Sequence, residues 1–434
     1  MTASISSTKL VVLSAWISRL VGAFATIYSL RVLSNTLAFQ EYATFVVMVG
    51  LAGWFALCDF GLGYAVQNAV TNRLSSGSSG AGDVLSAYVM VLLTTCAVVL
   101  AIFVFKGPIA GLLFAKIAAT QPASGADTFF RSALLFTVGA SAAISTKILY
   151  GKQRGYVANT VAAASSAIGA WLLTIGLSSA DDRVTYAVVA LYGPNALVCC
   201  GLAAWQIARA LHEKPQLPYS TFSGLARASR GFFVFNLLGA AALQIDYLVM
   251  SQKVTPMEII QYYSLAKFFS FIAFFNQAIL FAAWPTMTAR FSAGALPEIR
   301  AQLKRLVLWS GTVTLGATAV ILLAKDHLAM FVTPGTPITF RGWVIVGFGA
   351  VALIRCLTDP FAIFLQSIGR LTPLIWCATA QALVSASLQW ALSESLSIEG
   401  ILLALVLSFV ITSAWVLPLS AQKILAPRTR ATGP

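Results

Sequence analysis

Long apolar runs and short polar breaks alternate along the whole chain. The first run, VVLSAWISRLVGAFATIYSLRVL, ends at the polar break SNTLAFQE, and a second run follows, YATFVVMVGLAGWFALCDFGLGYAVQNAV. Runs of about 20 apolar residues are long enough to cross a bilayer as helices. Twelve such spans are predicted, at 10–32, 43–67, 84–105, 130–150, 156–178, 184–208, 230–251, 259–284, 304–324, 342–366, 372–392 and 398–420. The longest connections, 106–129, 209–229 and 285–303, are too short to hold a folded domain. The stretch SSGSSGAGD, Ser75 to Asp83, has the composition of a flexible linker. The expected fold class is an all-α polytopic membrane protein.

Composition agrees. The chain of 434 residues is 59% hydrophobic and 10% charged, with mean hydropathy +0.84, where soluble domains carry about 25% charged residues. Its six cysteines (Cys58, Cys96, Cys199, Cys200, Cys356 and Cys377) all fall in apolar spans without metal-type spacing. They read as small packed hydrophobes, with no metal site and no disulfide framework. The first apolar run is too long for a signal peptide and reads as a retained helix.

The net charge of +14 has two readings. One is the loading of cytoplasmic loops with Lys and Arg; the other is an anionic substrate. Nucleic acid is not an expected partner, because no soluble fold is present to offer a basic face. With both termini inside, inner loops hold roughly twice as many basic residues as outer ones. The chain is therefore expected to have cytoplasmic termini. The inner segment 209–229 divides it into an N-terminal lobe, 1–208, and a C-terminal lobe, 230–434, of six spans each. A faint repeat accompanies the division. Gly22 and Glu41 are 19 residues apart, as are Gly239 and Glu258. Six spans per half would relate the repeats by an axis along the membrane normal.

The candidate chemistry lies within the spans: Arg19, Asp59, Gln67 and Asn68 in the first half, Asp246, Lys267, Arg355 and Asp359 in the second. A charge near the bilayer centre costs about 2.5–3.5 kcal/mol, so these residues must pair or line a wet cavity. Arg19 shares a helix face with the small residues Ala15, Gly22, Ala23 and Thr26, which points it inward. Arg355 and Asp359 are four residues apart and can pair on one helix face. Asp59 and Asp246 either bond neighbouring helices or take part in coupling. Arg19 and Lys267 have no same-helix partner in reach three or four residues away, which favours a cavity. Tyr262 and Tyr263 are either packing or cavity wall. Pro360 removes the hydrogen bond to the Cys356 carbonyl, and Pro194 removes that to Ala190, marking either static kinks or moving helices. Enzyme motifs are absent, and the two histidines, His212 and His327, fall in loops.

These residues carry a resemblance. Arg19, Gln40-Glu41-Tyr42, Cys58-Asp59-Phe60-Gly61-Leu62, Asp246, Tyr262-Tyr263-Ser264-Leu265-Ala266-Lys267 and Leu365-Gln366-Ser367-Ile368-Gly369-Arg370 resemble motifs of the Wzx-type lipid-linked oligosaccharide flippases. Those belong to the multidrug/oligosaccharidyl-lipid/polysaccharide exporter superfamily. Ala43 stands where that family usually has Gly, and Ser34-Asn35 where it has a Leu-Gly pair.

The resemblance implies two six-helix, MATE-like lobes around a central cavity open alternately to each side. It implies a substrate of undecaprenyl-pyrophosphate carrying a glycan, moved across the bacterial inner membrane for cell-surface polysaccharide synthesis. A polymerase and other assembly proteins would be partners. Arg19, Lys267 and Arg355 would contact the pyrophosphate. No cofactor is expected beyond coupling to protons or sodium. The alternatives are a multidrug exporter of the same fold, which would prefer an acidic, aromatic cavity, and a membrane-embedded glycosyltransferase or polymerase.

Overall fold

The computed structural model describes residues 2–75, 77–114, 122–332 and 339–426. Lys116, Arg428 and Arg430 of the loop charges, and Ser76 of the linker, lie outside the described residues. Every regular element among the described residues is a helix, and none is a strand. In chain order the helices are α1 (Thr2–Thr36), α2 (Phe39–Phe55), a 3-10 turn (Ala56–Asp59), α3 (Leu62–Ser75), α4 (Ala81–Phe114), α5 (Pro122–Ala142), α6 (Ile144–Gly151), α7 (Gly155–Gly176), α8 (Arg183–His212), α9 (Tyr219–Leu243), α10 (Ile245–Lys253), α11 (Pro256–Ser292), α12 (Leu296–Leu323), α13 (Lys325–Val332), α14 (Gly342–Ser367), α15 (Thr372–Ile411) and α16 (Ser413–Leu425).

Among the described residues, ten segments are long and apolar enough to cross a membrane. One of them, Thr372–Leu425, runs 54 residues and turns at Ser397, where φ is +52°. That turn makes it two crossings. The 37-residue α11 is about 55 Å long, enough for one more, and the total reaches the expected twelve. Large apolar side chains such as Leu92, Leu100, Phe103 and Trp343 stay exposed. On a chain of these helices they form the face turned to lipid.

The chain forms two compact units. One holds Met1–Ala240 and Met250–Ile260; the other holds Ala241–Val249, Gln261–Phe331 and Ile338–Pro434. In the first, α1 lies along α7, α7 on α8, and α5 on α4 and α8. Its core includes Leu62, Val66, Val70, Val84, Ile144 and Ile148. Gly169 of α7 sits against α8 so closely that a Cβ there would be 2.9 Å from the Ala190 carbonyl. This is the carbonyl that Pro194 leaves without its helical donor, so the proline's missing bond faces a close helix contact. In the second unit α14 packs on α12, α15 and α16, around Leu280, Met287, Ile299, Leu303 and Phe364.

Several expectations are corrected. The second span is not one helix: it passes through the 3-10 turn and a left-handed pair, Phe60 (φ +49°) and Gly61 (φ +75°), before α3. The apolar pattern runs through this break because both sides are apolar; only the Phe-Gly dipeptide hints at it. The seventh span is divided at Gln244, between α9 and α10. Pro194 and Pro360 lie inside α8 and α14, as the spans 184–208 and 342–366 have them. Most of 209–229 is helical, since α8 reaches His212 and α9 starts at Tyr219. The two histidines are likewise helical, His212 closing α8 and His327 inside α13. The Ser75–Asp83 stretch is tied at its ends, where Arg73 Nε meets Asp83 Oδ2 at 3.1 Å.

Candidate functional site

The second unit contains a cavity of about 310 Å³ in which three of the sequence candidates, Asp246, Arg355 and Asp359, meet. Asp246 reaches it because α9 stops at Leu243 and α10 starts at Ile245. The carboxylate lies in the first turn of the new helix, where unpaired backbone N–H groups favour negative charge. Asp246 is 4% exposed. It accepts a hydrogen bond from the Tyr262 hydroxyl at 2.5 Å and from the Tyr247 N–H at 2.9 Å. Tyr262 is in turn wedged against Phe348, ring centroids 4.8 Å apart. It is therefore both cavity wall and hydrogen-bond partner.

Arg355 and Asp359 occupy one face of α14, with Nη2 to Oδ2 at 3.6 Å. Gln277 of α11 donates to the same Asp359 oxygen at 3.1 Å. Beside them, Asn276 donates through Nδ2 to Cys356 Sγ at 2.9 Å and to Thr314 Oγ1 at 3.4 Å. Its Oδ1, and the Ser310 hydroxyl, are buried at the cavity without a hydrogen-bond partner among the described residues. A buried polar atom left unpaired costs about 1–3 kcal/mol, so these two mark a wall suited to water or a small ligand. With two carboxylates facing one guanidinium, the cavity is not an uncompensated cationic pocket.

Lys267 does not line this cavity. It lies on α11, half-buried, with Nζ 4.7 Å from the ring centre of Tyr263, four residues earlier. A cation on an aromatic face is attracted by about 0.5–2 kcal/mol, less than a carboxylate would offer and without cancelling the charge. Among the described residues Lys267 makes no ion pair. The Tyr-to-Lys spacing was a legible signal: an aromatic, unlike a carboxylate, is available within one turn.

Arg19 and Asp59 belong to the first unit. Arg19 is half-buried on the side of α1 that meets α7, where Gly22 approaches Ser166. The Tyr150 phenol donates to Asn159 Oδ1 at 2.6 Å. Asn159 donates to the Val11 carbonyl and to Ser14 Oγ, at 3.1 and 3.0 Å, fixing α1 beside Arg19. Asp59 accepts the Gly61 and Gly63 N–H groups at 2.8 and 3.2 Å, so it caps α3 across the break. Lys147 packs near it with Nζ 4.2 Å from the Tyr64 ring centre.

No protein-family model matches the chain. A Yersinia pseudotuberculosis protein named O-antigen export protein is 30% identical over 414 residues, 95% of this chain and 95% of that one. The chain belongs to the O-antigen export protein family. A Salmonella typhi relative named O-antigen transporter is 28% identical over 421 residues, 93% of this chain and 94% of its own. Among solved structures, an inward-facing MATE family multidrug resistance transporter of the MOP superfamily matches with TM-score 0.73 at 12% identity, covering 94% of this chain and 98% of that one. The lipid II flippase MurJ in an inward closed conformation matches with TM-score 0.70 at 14% identity, covering 96% and 89%. At these identities the likeness is one of fold, and it is the multi-span helical fold expected from the apolar pattern.

For this O-antigen export family member, sequence reasoning missed the partners of its charges: Tyr262 for Asp246, Gln277 for Asp359, Tyr263 for Lys267. It also missed Asn276. One signal was present, since Asn276 follows Asp59 by the same interval that separates Glu258 from Glu41 and Gly239 from Gly22. The two glutamates are equivalent in the structure. Each is the third residue of its helix, and each accepts a bond from the residue before it: Ala38 N–H to Glu41 at 2.9 Å, Thr255 Oγ1 to Glu258 at 2.8 Å.

Proposed function

We propose that the protein is a flippase for a polyprenyl-pyrophosphate-linked oligosaccharide. It carries the undecaprenyl-linked glycan from the cytoplasmic to the periplasmic leaflet of the inner membrane by alternating access. Cell-surface polysaccharide assembly uses the product. Membership of the O-antigen export family supports the cargo class. The observation that carries the rest is Lys267, a cation inside a span whose charge rests on Tyr263 and on no carboxylate. Such a charge has a use if an anion visits it. A lysine binds phosphate as a point charge, and Arg19 adds the bidentate donors of a guanidinium. Arg355 contributes only while its hold on Asp359 loosens.

Both termini are placed in the cytoplasm, and the halves 1–208 and 230–434 are the bodies that move. The membrane potential favours export of an anion. At about 2.3 kcal/mol per charge per 100 mV, a doubly charged head gains roughly 4–5 kcal/mol. Reset of the carrier is assigned to exchange of a proton or sodium ion at Asp359, with Asp246 and Asp59 each an interhelical or coupling group in its own unit. No other cofactor enters. In reconstituted vesicles, Asp359→Asn should lose ion dependence while retaining exchange; ion-driven transport at the parent level rejects the coupling role. Deletion of the gene should make one lipid-linked oligosaccharide accumulate in the inner leaflet. Unchanged levels of all such lipids reject the flippase reading.

A further inference from the structure

Away from the cavity, α11 and α12 enclose a groove of about 510 Å³. The helices are joined by a tight turn at Gly294, where φ is +71°. At the turn end the groove is polar. Arg290 Nη1 donates to Gln302 Oε1 at 2.6 Å, its Nε meets Glu298 Oε2 at 3.2 Å, and Gln302 Nε2 donates to Thr286 Oγ1 at 3.0 Å. This network occupies Arg290. Arg305 lies one turn beyond Gln302 on the groove wall. It is exposed and makes no ion pair among the described residues.

Past Arg305 the lining turns apolar, with Leu306 and Trp309 from α12 facing Ile279 from α11. Ile279 and Arg290 are about 16 Å apart along the helix axis, roughly half the 30 Å hydrocarbon core. The groove thus has a cationic mouth at the membrane edge and an apolar floor running into the hydrocarbon layer. Basic pockets between membrane helices hold anionic head groups, and a guanidinium matches a phosphodiester with two parallel donors.

We propose that this groove is a binding site for an anionic phospholipid. The phosphodiester sits on Arg305, and one acyl chain lies along Leu306, Trp309 and Ile279. Arg290, already offset by Glu298, orients the mouth and does not take the phosphate.

The test reconstitutes the protein in nanodiscs containing phosphatidylglycerol and phosphatidylcholine, then quantifies the phospholipid retained on the purified protein by mass spectrometry. The parent should retain phosphatidylglycerol in preference to phosphatidylcholine. Arg305→Gln should reduce that retention roughly five-fold, the worth of one basic residue near an anionic surface. Arg305→Lys should keep part of it. Lys304→Gln removes an exposed neighbouring charge that does not line the groove, and it should change nothing. Equal losses from Lys304→Gln and Arg305→Gln indicate a diffuse field and overturn the site. So does unchanged retention in Arg305→Gln, or retention of a polyprenyl phosphate in place of phospholipid. Preference of the parent is read without any variant. Its absence overturns the proposal even if Arg305→Gln fails to fold.

Discussion

Replacing Tyr262 with phenylalanine tests the charge state of the acidic cavity. The hydroxyl donates to Asp246 at 2.5 Å, and the carboxylate is 4% exposed, so no bulk water takes its place. A hydrogen bond to a charged group contributes about 1.5–3 kcal/mol, and one between neutral groups about 0.5–1.5 kcal/mol. With Asp246 ionised, Tyr262→Phe should cost the larger amount. For a unit of this size that is a fall in melting temperature of roughly 3–12 °C, at 2–4 °C per kcal/mol. In an Asp246→Asn background the same substitution should cost only the neutral amount. The coupling between the two positions is then about 1 kcal/mol or more. Thermal unfolding of the four purified proteins, followed by tryptophan fluorescence, gives the cycle. A Tyr262→Phe protein that melts within about 1 °C of the parent would refute the argument, since the range above begins near 3 °C. Equal costs in both backgrounds would show that Asp246 carries no charge there.

Two other expectations follow from particular contacts. Gly61→Ala should destabilise the first unit by about 1–3 kcal/mol for the left-handed backbone alone. The cost grows because its Cβ would meet the Phe233 N and the Ser229 carbonyl at 2.7 Å; a melting temperature equal to the parent's would contradict this. A cysteine introduced at Leu217, which is 42% exposed in the turn between α8 and α9, should be labelled from the cytoplasm only. Labelling from the periplasm would reverse the assigned topology.

Much of the fold was legible because burial in lipid demands long apolar runs, and such runs are hard to hide in a sequence. The places where reading failed are breaks inside such runs. At Asp59-Phe60-Gly61 the chain leaves and re-enters the helix between apolar flanks, and a single charge does not interrupt the long apolar run around it. At Gln244 one polar residue separates α9 from α10 with no proline or glycine to announce it. The site was legible in its charges but not in their company. Arg355 and Asp359 could be paired from their spacing along one helix. Tyr262 and Asp246 are on different helices, and only the folded chain brings them together. Lys267 shows the opposite error. Its partner was within one turn in the sequence, but it is the aromatic ring of Tyr263 and not an opposite charge.

The central claim is that an uncompensated cation within the membrane serves a pyrophosphate cargo. It is tested most directly in proteoliposomes loaded with a labelled polyprenyl-pyrophosphate-linked oligosaccharide, scoring transfer by enzymatic access to the glycan from the opposite side. The parent protein should transfer the lipid. Lys267→Arg should retain part of the rate, because the charge stays, and Lys267→Met should lose it while remaining folded and in the membrane. Transfer by Lys267→Met at the parent rate would contradict the account.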